Sequence, residues 1–469
     1  MGPGNDAARV FRLEAWSPPM LLMRDKAIAL IDGEHYLPVI AAALDKVRED
    51  YDLLGAVFIG GTEKIADDAD LSMLNCQIEK DDDPIKALTT ALEKFSPELV
   101  IDLSDEPIVG YKERFELVSL VLLKGISYLG PDFRFDPPTF HDIAKKPSFA
   151  IIGTGKRIGK TAVSAFACRE LKSAGLKPCV VAMGRGGPSE PEIILGDKIE
   201  IDSEYLLRVS RSGKHAASDY FEDALLSRIP TVGCRRCGGG MAGKPYISNV
   251  ERGAELANDL DSNIVIFEGS GASLPPIRVD ARVVVCGVNQ PIEYIIGYLG
   301  RYRLLISDLV VLTNCEKDIA SAEDLASITE KIRQVKPGLK VVQSVFRPKP
   351  TRDISNEKVF FTTTAPAWVS KRLTDFLEEN YQCEVIGVSH HLSNRKKLKE
   401  DIEEKMGKFT LVLTELKAAA VDVSTEIAAE LGIDVTYCDN IPITIGGDGD
   451  LVDALISIAD ISRERFRVN

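Results

Sequence analysis

The sequence predicts an α/β fold built on parallel sheets, and three observations support this class. Short apolar runs alternate with helix-length segments from residue 26 onward, which is typical of parallel strands joined by helices. Runs such as IVIF (264–267) and VVVC (283–286) are apolar on both faces, as central parallel strands are. The 469 residues exceed what one ordinary core holds, so we expect about three domains.

The pattern of elements divides the chain into an N-terminal extension and three domains. Residues 1–25 mix polar residues with isolated aromatics and lack a proper hydrophobic segment, so we interpret them as an extension. An N-terminal α/β domain is predicted over 26–140 and ends in the polar, proline-rich DFRFDPPTFHDIAKKP. A second domain is predicted over 141–349, and a smaller C-terminal α/β domain over 350–469.

Each predicted strand is a short run rich in Val, Ile and Leu, with helix-length segments between the runs. In the first domain the strands are KAIALID (26–32), LLGAVFIGG (53–61), ELVIDLS (98–104) and ISYLG (126–130). In the second they are SFAIIG (148–153), PCVVAMG (178–184), NIVIFE (263–268), ARVVVCGV (281–288) and DLVVLT (308–313). In the third they are VFFTTT (359–364), CEVIGVS (383–389), FTLVLTE (409–415) and IDVTYCD (433–439). The charged run RKKLKEDIEEKM (395–406) is predicted to be a solvated helix.

The stretch IIGTGKRIGKTAV (151–163) combines an apolar run, a glycine-rich turn and a helix-compatible continuation. Glycines let the backbone curl so that successive N–H groups converge, and a helix starting near Gly159 adds its unpaired amides and positive dipole end. We therefore predict a phosphate-binding loop, in which Lys160 reaches the β and γ oxygens of ATP and the Thr161 hydroxyl ligates Mg²⁺. An ordinary glycine-rich turn would leave the clustering of Lys156, Arg157 and Lys160 unexplained.

The loop departs from the strict phosphate-loop pattern, because position 154 is threonine where the pattern has its first glycine. The arrangement Gly153-Thr154…Gly159-Lys160-Thr161 resembles the loop of dethiobiotin synthetase and its relatives. This resemblance implies a parallel sheet of the P-loop NTPase type, flanked by the N-terminal and C-terminal α/β domains. It also implies that the amides from about Gly155 to Thr161 wrap the phosphates.

Two later strand ends add candidates for the nucleotide site. Glu268 closes the strand IVIFE, at the carboxyl edge where open α/β sheets bind ligands. It is predicted to hold Mg²⁺ or to orient a reacting group, and the alternative is a simple turn carboxylate. Asn314 follows the strand DLVVLT, and in the related kinases and synthetases an asparagine at this place contacts the nucleotide base.

Positive charge on further glycine-rich turns predicts a second anionic ligand. A net charge of −14 and a pI near 5.1 argue against a general nucleic-acid binder, so these local cations indicate a small, multiply charged metabolite. Guanidinium groups match phosphate oxygens bidentately, and nearby glycines allow close approach. The candidate substrate ligands are Arg185, Lys214, His215, Arg235, Arg236 and Lys244. His215 has an equally plausible structural role, and the CxxC formed by Cys234 and Cys237 lacks a second pair for zinc.

The first predicted strand runs into Asp32, Glu34 and His35, three polar residues at the ligand-binding edge of its sheet. A capped turn, in which Asp32 hydrogen-bonds to backbone amides, explains them equally well. Polar residues also follow the next strands, in FIGGTEK (58–64) and in LSDE (103–106). This coincidence favours a substrate-binding role for the three residues.

Taken together, these motifs resemble those of the cyclic 2,3-diphosphoglycerate synthetases between about residues 27 and 320. The residues that carry the resemblance are LIDGEHYLPV, FIGGTEK, GTGKRIGKTAV, GRGGPSEPE, GKHAASDYFEDAL, RRCGGGMAGKP and FEGSGAS. The resemblance implies ATP-dependent closure of a phosphoanhydride within 2,3-diphosphoglycerate, giving the cyclic compound, ADP and phosphate, in a homodimer. Lys156, Arg157, Lys160 and Glu268 would then be the catalytic residues. The alternatives are a phosphoglycerate kinase-type transfer without ring closure, a regulatory nucleotide switch and a dethiobiotin synthetase-type carboxylate activator.

The cysteines and the hydropathy pattern predict where the protein works. Nine scattered cysteines without regular spacing, and no recognisable secretory signal, favour a reducing cytoplasm. No apolar run approaches the roughly 20 residues of a membrane-spanning helix. We therefore expect a cytoplasmic enzyme without membrane or nucleic-acid partners.

Overall fold

The structure is a computed structural model, which describes residues 24–61, 65 and 70–468. Most of the predicted extension, and Thr62, Glu63 and Lys64 of the FIGGTEK motif, lie outside the described residues. Internal contacts separate two units. The first contains the described residues through Ile108 together with Tyr128–Phe133, and the second contains Val109–Ser127 and the described residues from Arg134 onward.

The first unit is a parallel sheet with helices, as the alternation of its elements predicts. Its strands run in the order β3-β2-β1-β4-β5, and β1 pairs in parallel with both β2 and β4. Asp83 caps the second helix through the backbone N–H of Ile85 (2.9 Å), and Pro84 occupies its first turn. The elements are β1 Lys26–Ile31, α1 Leu37–Asp50, β2 Asp52–Phe58, β3 Gln77–Lys80, α2 Pro84–Phe95, β4 Leu99–Asp102 and β5 Ser127–Leu129.

The second unit is built on a long sheet in which the phosphate-loop strand is central. Across its first part the order is β11-β10-β8-β12-β7-β13-β14-β15, and all pairs from β10 to β15 are parallel. Every residue of β7, β8, β12 and β14 is buried, which explains their unbroken apolar runs. The strands of this part are β7 Ser148–Gly153, β8 Pro178–Gly184, β10 Pro230–Cys237, β11 Ile247–Ser248, β12 Ile264–Glu268, β13 Ala281–Gly287, β14 Leu309–Thr313 and β15 Lys340–Pro350.

The same sheet continues into the C-terminal part of the chain. β15 pairs antiparallel with β19, which pairs in parallel with β18, followed by β16 and β17. The bounds are β16 Lys358–Thr362, β17 Glu384–Ser389, β18 Leu411–Glu415 and β19 Asp434–Gly447. The predicted boundary near residue 350 therefore falls inside a continuous sheet, and the division into three domains stays a prediction.

The antiparallel pair of β15 and β19 turns the second half of the sheet to face the first. Within β15, only Lys340–Gln343 pair with β14. The rest of β15 therefore extends past the carboxyl edge of the sheet, the edge that contains the end of β7. β18 pairs with the start of β19 beyond this overhang, and it runs in the direction opposite to β7. The carboxyl ends of β16, β17 and β18 consequently point back towards the carboxyl ends of β7, β8 and β12.

Helices cover the faces of this sheet, and most of them lie where helix-length segments were predicted. The charged run at 395–406 contains α12, and its Asn394 cap accepts a hydrogen bond from Lys397 N–H (3.3 Å). In the helix-length segment at 424–432, the helix is preceded by a π-helical turn, Ala420–Thr425. A C-terminal helix that we did not predict packs against α4, β7 and β13.

The remaining elements of the second unit include two short strands, one of which pairs with β10. No helix in the described part of the chain is both long and apolar enough to cross a bilayer. The bounds are α3 Tyr111–Leu123, β6 Arg134–Phe135, α4 Lys160–Ser173, β9 Glu192–Leu195, α5 Ser203–Arg211, α6 Asp219–Ser227, α7 Val250–Asp259, α8 Glu293–Ile296, α9 Gly300–Leu305, α10 Ala322–Val335, α11 Ser370–Tyr381, α12 Arg395–Glu404, α13 Glu426–Leu431 and α14 Leu451–Val468.

Candidate active site

The glycine-rich loop joins the buried end of β7 to the N-terminus of α4, as the motif predicts. Gly159 caps the helix with φ of +82°, a conformation that glycine adopts without strain. Its Cα faces Phe346, whose ring would lie 2.1 Å from any added Cβ. Thr154 donates a hydrogen bond from its hydroxyl to Gln290 Oε1 (2.8 Å), which fixes the start of the loop. The loop is therefore held open by its neighbours, with its amides at a helix N-terminus, where anions bind.

Lys160 lies folded over this loop and is almost completely buried. Its ammonium donates a hydrogen bond to the carbonyl oxygen of Gly155 (3.0 Å). Burial lowers the pKa of Lys160 to about 8, although Glu268 and Asp219 oppose this effect. A phosphate bound within the loop would place negative charge beside this ammonium and stabilise its charged form.

Thr161 and Glu268 meet at the other side of the loop. The Thr161 hydroxyl donates to Glu268 Oε1 (2.7 Å), while the buried Glu268 Oε2 has no hydrogen-bond donor. Both carboxylate oxygens of Asp223 likewise lack donors. Burial raises the pKa of Glu268 to about 7, with Asp219 adding to the shift, and burial and Glu268 raise the pKa of Asp223.

The oxygen atoms of Thr161 and Glu268 fit a hard divalent cation. Mg²⁺ prefers oxygen ligands and is usually held by one or two protein groups together with substrate phosphates. Glu268 Oε2, which is buried and lacks a donor, is the type of group that such an ion satisfies. In the part of the chain that the structure describes, no cluster of three or more histidine, cysteine or acidic side chains forms a closed metal cage.

A cleft of about 320 Å³ opens beside the loop, and we call it the central cleft. Six basic side chains line it: Lys156, Arg157, Lys160, Arg185, His215 and Lys417. Asp219 and Glu268 are the carboxylates along its wall, and Thr364 and Ser393 contribute hydroxyls. Because α4 also begins here, the cleft has the charge expected for a site that holds more than one phosphate.

Arg185 and Arg236 form a pair of guanidinium groups around Gly271, which lines the cleft. A Cβ added at Gly271 would lie 2.9 Å from Arg185 Nη2 and 3.3 Å from Arg236 Nη2. Arg236 is buried and donates to the carbonyl oxygens of Gly238 (2.8 Å) and Ser270 (2.7 Å), while its Nε has no acceptor. Burial, and then Arg185, lower the pKa of Arg236. Two adjacent cations with an unused donor form a suitable place for an anion.

Other predicted substrate ligands do not line this cleft. Arg235 points to the opposite face of β10 from Arg236, because successive side chains alternate along a strand, and it is exposed. Lys214 forms an ion pair with Glu192 (2.8 Å), and Lys244 is exposed. Their assignment as substrate ligands stays a prediction that this geometry does not favour.

The two cysteines that flank Arg235 and Arg236 are separated in the same way. Cys234 is buried beneath α7, and Cys237 is exposed. The two thiols therefore occupy different environments.

Asn314 directly follows β14, as the sequence predicts. Its backbone has a φ of +58°, and its side-chain amide donates to Asn289 Oδ1 (3.1 Å). The preceding Thr313 is buried and donates to the carbonyl oxygen of Ile158, which ties this strand end to the phosphate loop (2.8 Å). The contact of Asn314 with a nucleotide base stays a prediction.

In the first unit, Asp32 organises the turn that follows β1. Its Oδ1 accepts from the N–H of Glu34 (2.9 Å) and lies 2.9 Å from His35 Nδ1, and its Oδ2 accepts from the N–H of Asp105 (2.7 Å). This geometry matches the capped turn that the sequence left open. A direct substrate-binding role for Asp32, Glu34 and His35 stays a prediction.

Three family models together match most of the chain. They describe the N-terminal domain (residues 26–136), the P-loop domain (148–345) and the C-terminal domain (350–441) of cyclic 2,3-diphosphoglycerate synthetase. The chain belongs to the cyclic 2,3-diphosphoglycerate synthetase family. The resemblance of its motifs and the predicted P-loop fold class are thereby confirmed, and the phosphate loop lies within the residues that the P-loop domain model matches.

Relatives called cyclic 2,3-diphosphoglycerate synthetase match the chain over nearly its whole length. The relative from Methanothermus fervidus is 49% identical over 454 residues, covering 95% of this chain and 99% of its own. The relative from Rubrobacter xylanophilus is 51% identical over 429 residues, covering 91% and 96%. Among solved structures, LpxK from Aquifex aeolicus in complex with ATP is 12% identical, with a TM-score of 0.39, and covers 76% of this chain and 96% of that one. That similarity is too low to support a functional conclusion.

The sequence analysis missed three charged residues at or behind the central cleft. Asp219 and Lys417 line it, and Arg303 donates to the carbonyl oxygens of Ala272 (2.5 Å) and Met241 (3.2 Å), which fixes two of the glycine-rich loops. Burial lowers the pKa of Arg303 to about 10. Asp219 lies inside the recognised GKHAASDYFEDAL motif, in the first turn of α6, so a carboxylate at a helix start within that motif was a usable signal. Lys417 and Arg303 lie outside any glycine-rich motif, and no local pattern marked them.

Proposed function

We propose that the chain catalyses ATP-dependent closure of an intramolecular phosphoanhydride in 2,3-diphosphoglycerate, releasing cyclic 2,3-diphosphoglycerate, ADP and phosphate. Family membership and the names of relatives that are about half identical support this activity. The structural observation that supports it most strongly is the central cleft, which combines a phosphate loop with the separate cations Arg185, His215 and Lys417. One nucleotide does not need all of these charges.

The reaction needs activation because two neighbouring phosphates repel each other and lose water when they join. In the first step, an oxygen of one substrate phosphate attacks the γ phosphorus of ATP in line, and the bond to ADP breaks. In the second step, an oxygen of the other substrate phosphate attacks the first substrate phosphorus, and orthophosphate leaves as the ring closes. Phosphoryl transfer of this kind depends mainly on positioning and electrostatics, so no protein nucleophile is required.

The residues of the cleft have distinct roles in this scheme. The loop amides and Lys160 bind the β and γ phosphates, and Lys156 and Arg157, both exposed on the loop, neutralise the charge of the incoming substrate. Arg185 and Arg236 bind the organic bisphosphate beside Gly271. Thr161 and Glu268 would hold Mg²⁺, which supplies charge neutralisation at the phosphate oxygens when bound.

Phosphorus NMR tests the proposed activity directly. Protein incubated with Mg-ATP and 2,3-diphosphoglycerate should release ADP and orthophosphate in equal amounts, together with the signals of a cyclic anhydride. A phosphorylated product without free phosphate would instead identify the kinase-type alternative, which no observation favours. A rate of ATP hydrolysis that does not change when the phosphoglycerate is added would indicate a nucleotide switch.

We also infer a homodimer and a cytoplasmic location from the family resemblance and the cysteine pattern, and three domains from the order of elements. The acidic net charge of −14 supports the absence of a nucleic-acid partner. Light scattering coupled to size-exclusion chromatography measures the first of these inferences. A monomeric mass under assay conditions would contradict it.

A further inference from the structure

The central cleft has two walls that come from opposite halves of the sheet. The loops after β7, β8 and β12 form one wall and supply Lys160, Arg185 and Glu268. The loops after β16, β17 and β18 form the other and supply Thr364, Ser393 and Lys417. The C-terminal part of the chain is therefore a component of the site, and Lys417 is the cation that it contributes among the described residues lining the cleft.

Lys417 contacts one buried acidic side chain and lies two residues from another. Its ammonium lies 3.2 Å from Glu222 Oε1, on a helix of the P-loop half. Glu415, two residues earlier, accepts hydrogen bonds from Thr363 Oγ1 and Asn440 Nδ2 at one oxygen and from the N–H and hydroxyl of Thr364 at the other. These bonds measure 2.8 to 2.9 Å. A carboxylate so fully satisfied remains charged and keeps the ammonium of Lys417 charged as well.

The surroundings of Glu415 and Lys417 agree with this charge state. Burial acts to raise the pKa of Glu415, but Lys417 and the hydrogen bonds outweigh it, so the pKa is lowered. Burial would lower the pKa of Lys417, but Glu222 and Glu415 raise it further. About 30% of the Lys417 side chain remains exposed, and its lining position places that part towards the cleft.

The position of Lys417 relative to Lys160 indicates what it binds. Asp219 lies in the cleft wall close enough to both lysines that each lowers its pKa, against a larger rise caused by burial. Both lysines line the central cleft, Lys160 from the wall that contains the phosphate loop and Lys417 from the opposite wall. A phosphoryl group bound by Lys160 on the loop would face Lys417 on its other side.

The backbone beside Lys417 is strained in a way that supports a functional role. Ala418, which also lines the cleft, has a φ of +49° although it is not glycine. The N–H of Lys417 donates to the carbonyl oxygen of Glu415 (2.9 Å), so the chain turns sharply at this point. Strain of this kind persists where the surrounding structure enforces it, and it concentrates at ligand-binding positions.

We propose that Lys417 contacts the phosphoryl group in transit between ATP and the organic bisphosphate, on the side opposite Lys160. The inference rests on the proposed function and adds a catalytic residue from the C-terminal part of the chain. During transfer, negative charge spreads over the equatorial oxygens of this group, and a preorganised cation opposite the loop lysine stabilises it. The bonds that form and break are those of the first step already described, and Lys417 exchanges no proton.

The test is Lys417→Met, which keeps the length of the side chain and removes its charge. We expect kcat for cyclic product to fall about 100- to 1,000-fold, while the Kd of Mg-ATP changes less than about threefold. In Lys417→Ala, which leaves room for it, added ethylammonium should restore part of the lost kcat. Lys336→Met is the matched control, because Lys336 is also half-buried and donates to the carbonyl oxygens of Leu305 and Ser307 away from the cleft.

The outcomes separate this inference from the proposed function. No cyclic product from the wild-type protein would contradict the proposed function itself. Product from the wild type, with a Lys417→Met kcat within about threefold of it, would overturn this inference alone. A parallel loss of nucleotide affinity and kcat in a folded variant would also overturn it. If Lys417→Met loses its near-UV circular dichroism signal, Lys417→Gln, which retains a donor for Glu222, replaces it under the same criteria.

Discussion

The pKa of Glu222 reports the opposing effects of burial and of a neighbouring cation on one carboxyl group. This glutamate is 4% exposed, and its Oε1 lies 3.2 Å from the ammonium of Lys417. Burial raises its pKa from 4.5 to about 8; Lys417 opposes the change, and Asp219 and Glu268 add to it. Glu222→Gln removes the titrating proton while keeping the shape of the side chain.

The magnitude follows from the two pKa values. Between pH 4.5 and about 8, the folded state retains a proton on Glu222 that the unfolded chain has released. The contribution of Glu222 to the free energy of unfolding therefore falls as pH rises through this window, by about 1.4 kcal/mol per pH unit and about 5 kcal/mol in all. Because glutamine does not titrate, the wild type should lose about 2.5 kcal/mol relative to Glu222→Gln between about pH 5.5 and 7.5.

Urea denaturation followed by circular dichroism, at several pH values in that range, measures this difference. Glu415→Gln is the control, because the pKa of Glu415 is lowered. Its contribution is present above the unfolded pKa of 4.5 and is lost only as pH falls below it, so its difference from wild type should be flat from pH 5.5 to 7.5. A flat difference between wild type and Glu222→Gln, or a difference of the opposite sign, would refute the reasoning about burial.

Three further predictions concern catalysis. Lys160→Ala should abolish turnover in steady-state assays without unfolding the protein, since it deletes a charge that contacts the transferred phosphoryl group. Arg236→Met should raise the KM for the bisphosphate about 10- to 100-fold, whereas Arg235→Met, on the opposite face of β10, should change it less than about threefold. Equal effects of these two substitutions would remove Arg236 from the substrate site. Thr161→Val should raise the Mg²⁺ concentration for half-maximal activity at least about tenfold, and an unchanged titration would exclude the hydroxyl as a ligand.

Local chemistry made part of the site predictable. The phosphate loop is a continuous segment whose glycines, lysine and threonine act on one ligand, so its spacing alone identified it. Glu268 was identifiable because a carboxylate after a wholly apolar strand lies at the carboxyl edge of a parallel sheet. In the structure it accepts a hydrogen bond from Thr161, which directly follows the lysine of the loop.

Neighbouring cations were harder to assign. Arg235 and Arg236 are adjacent in sequence, and composition alone makes both of them candidates. Once they lie on a strand, the alternation of side chains allows only one of them to face Gly271. Lys214 looks equally available in the sequence, but Glu192 on a separate strand pairs with it.

The sequence by itself determined the α/β class, the phosphate loop and the family, because these depend on short segments with fixed periodicity and spacing. Tertiary structure decided that Lys417 lines the same cleft as Lys160. The two residues are far apart along the chain, and what brings them to one cleft is the antiparallel pairing of β15 with β19, which points the carboxyl ends of two parallel strand sets at each other. That pairing depends on long-range backbone hydrogen bonds and strand register, and no local pattern of residues encodes it.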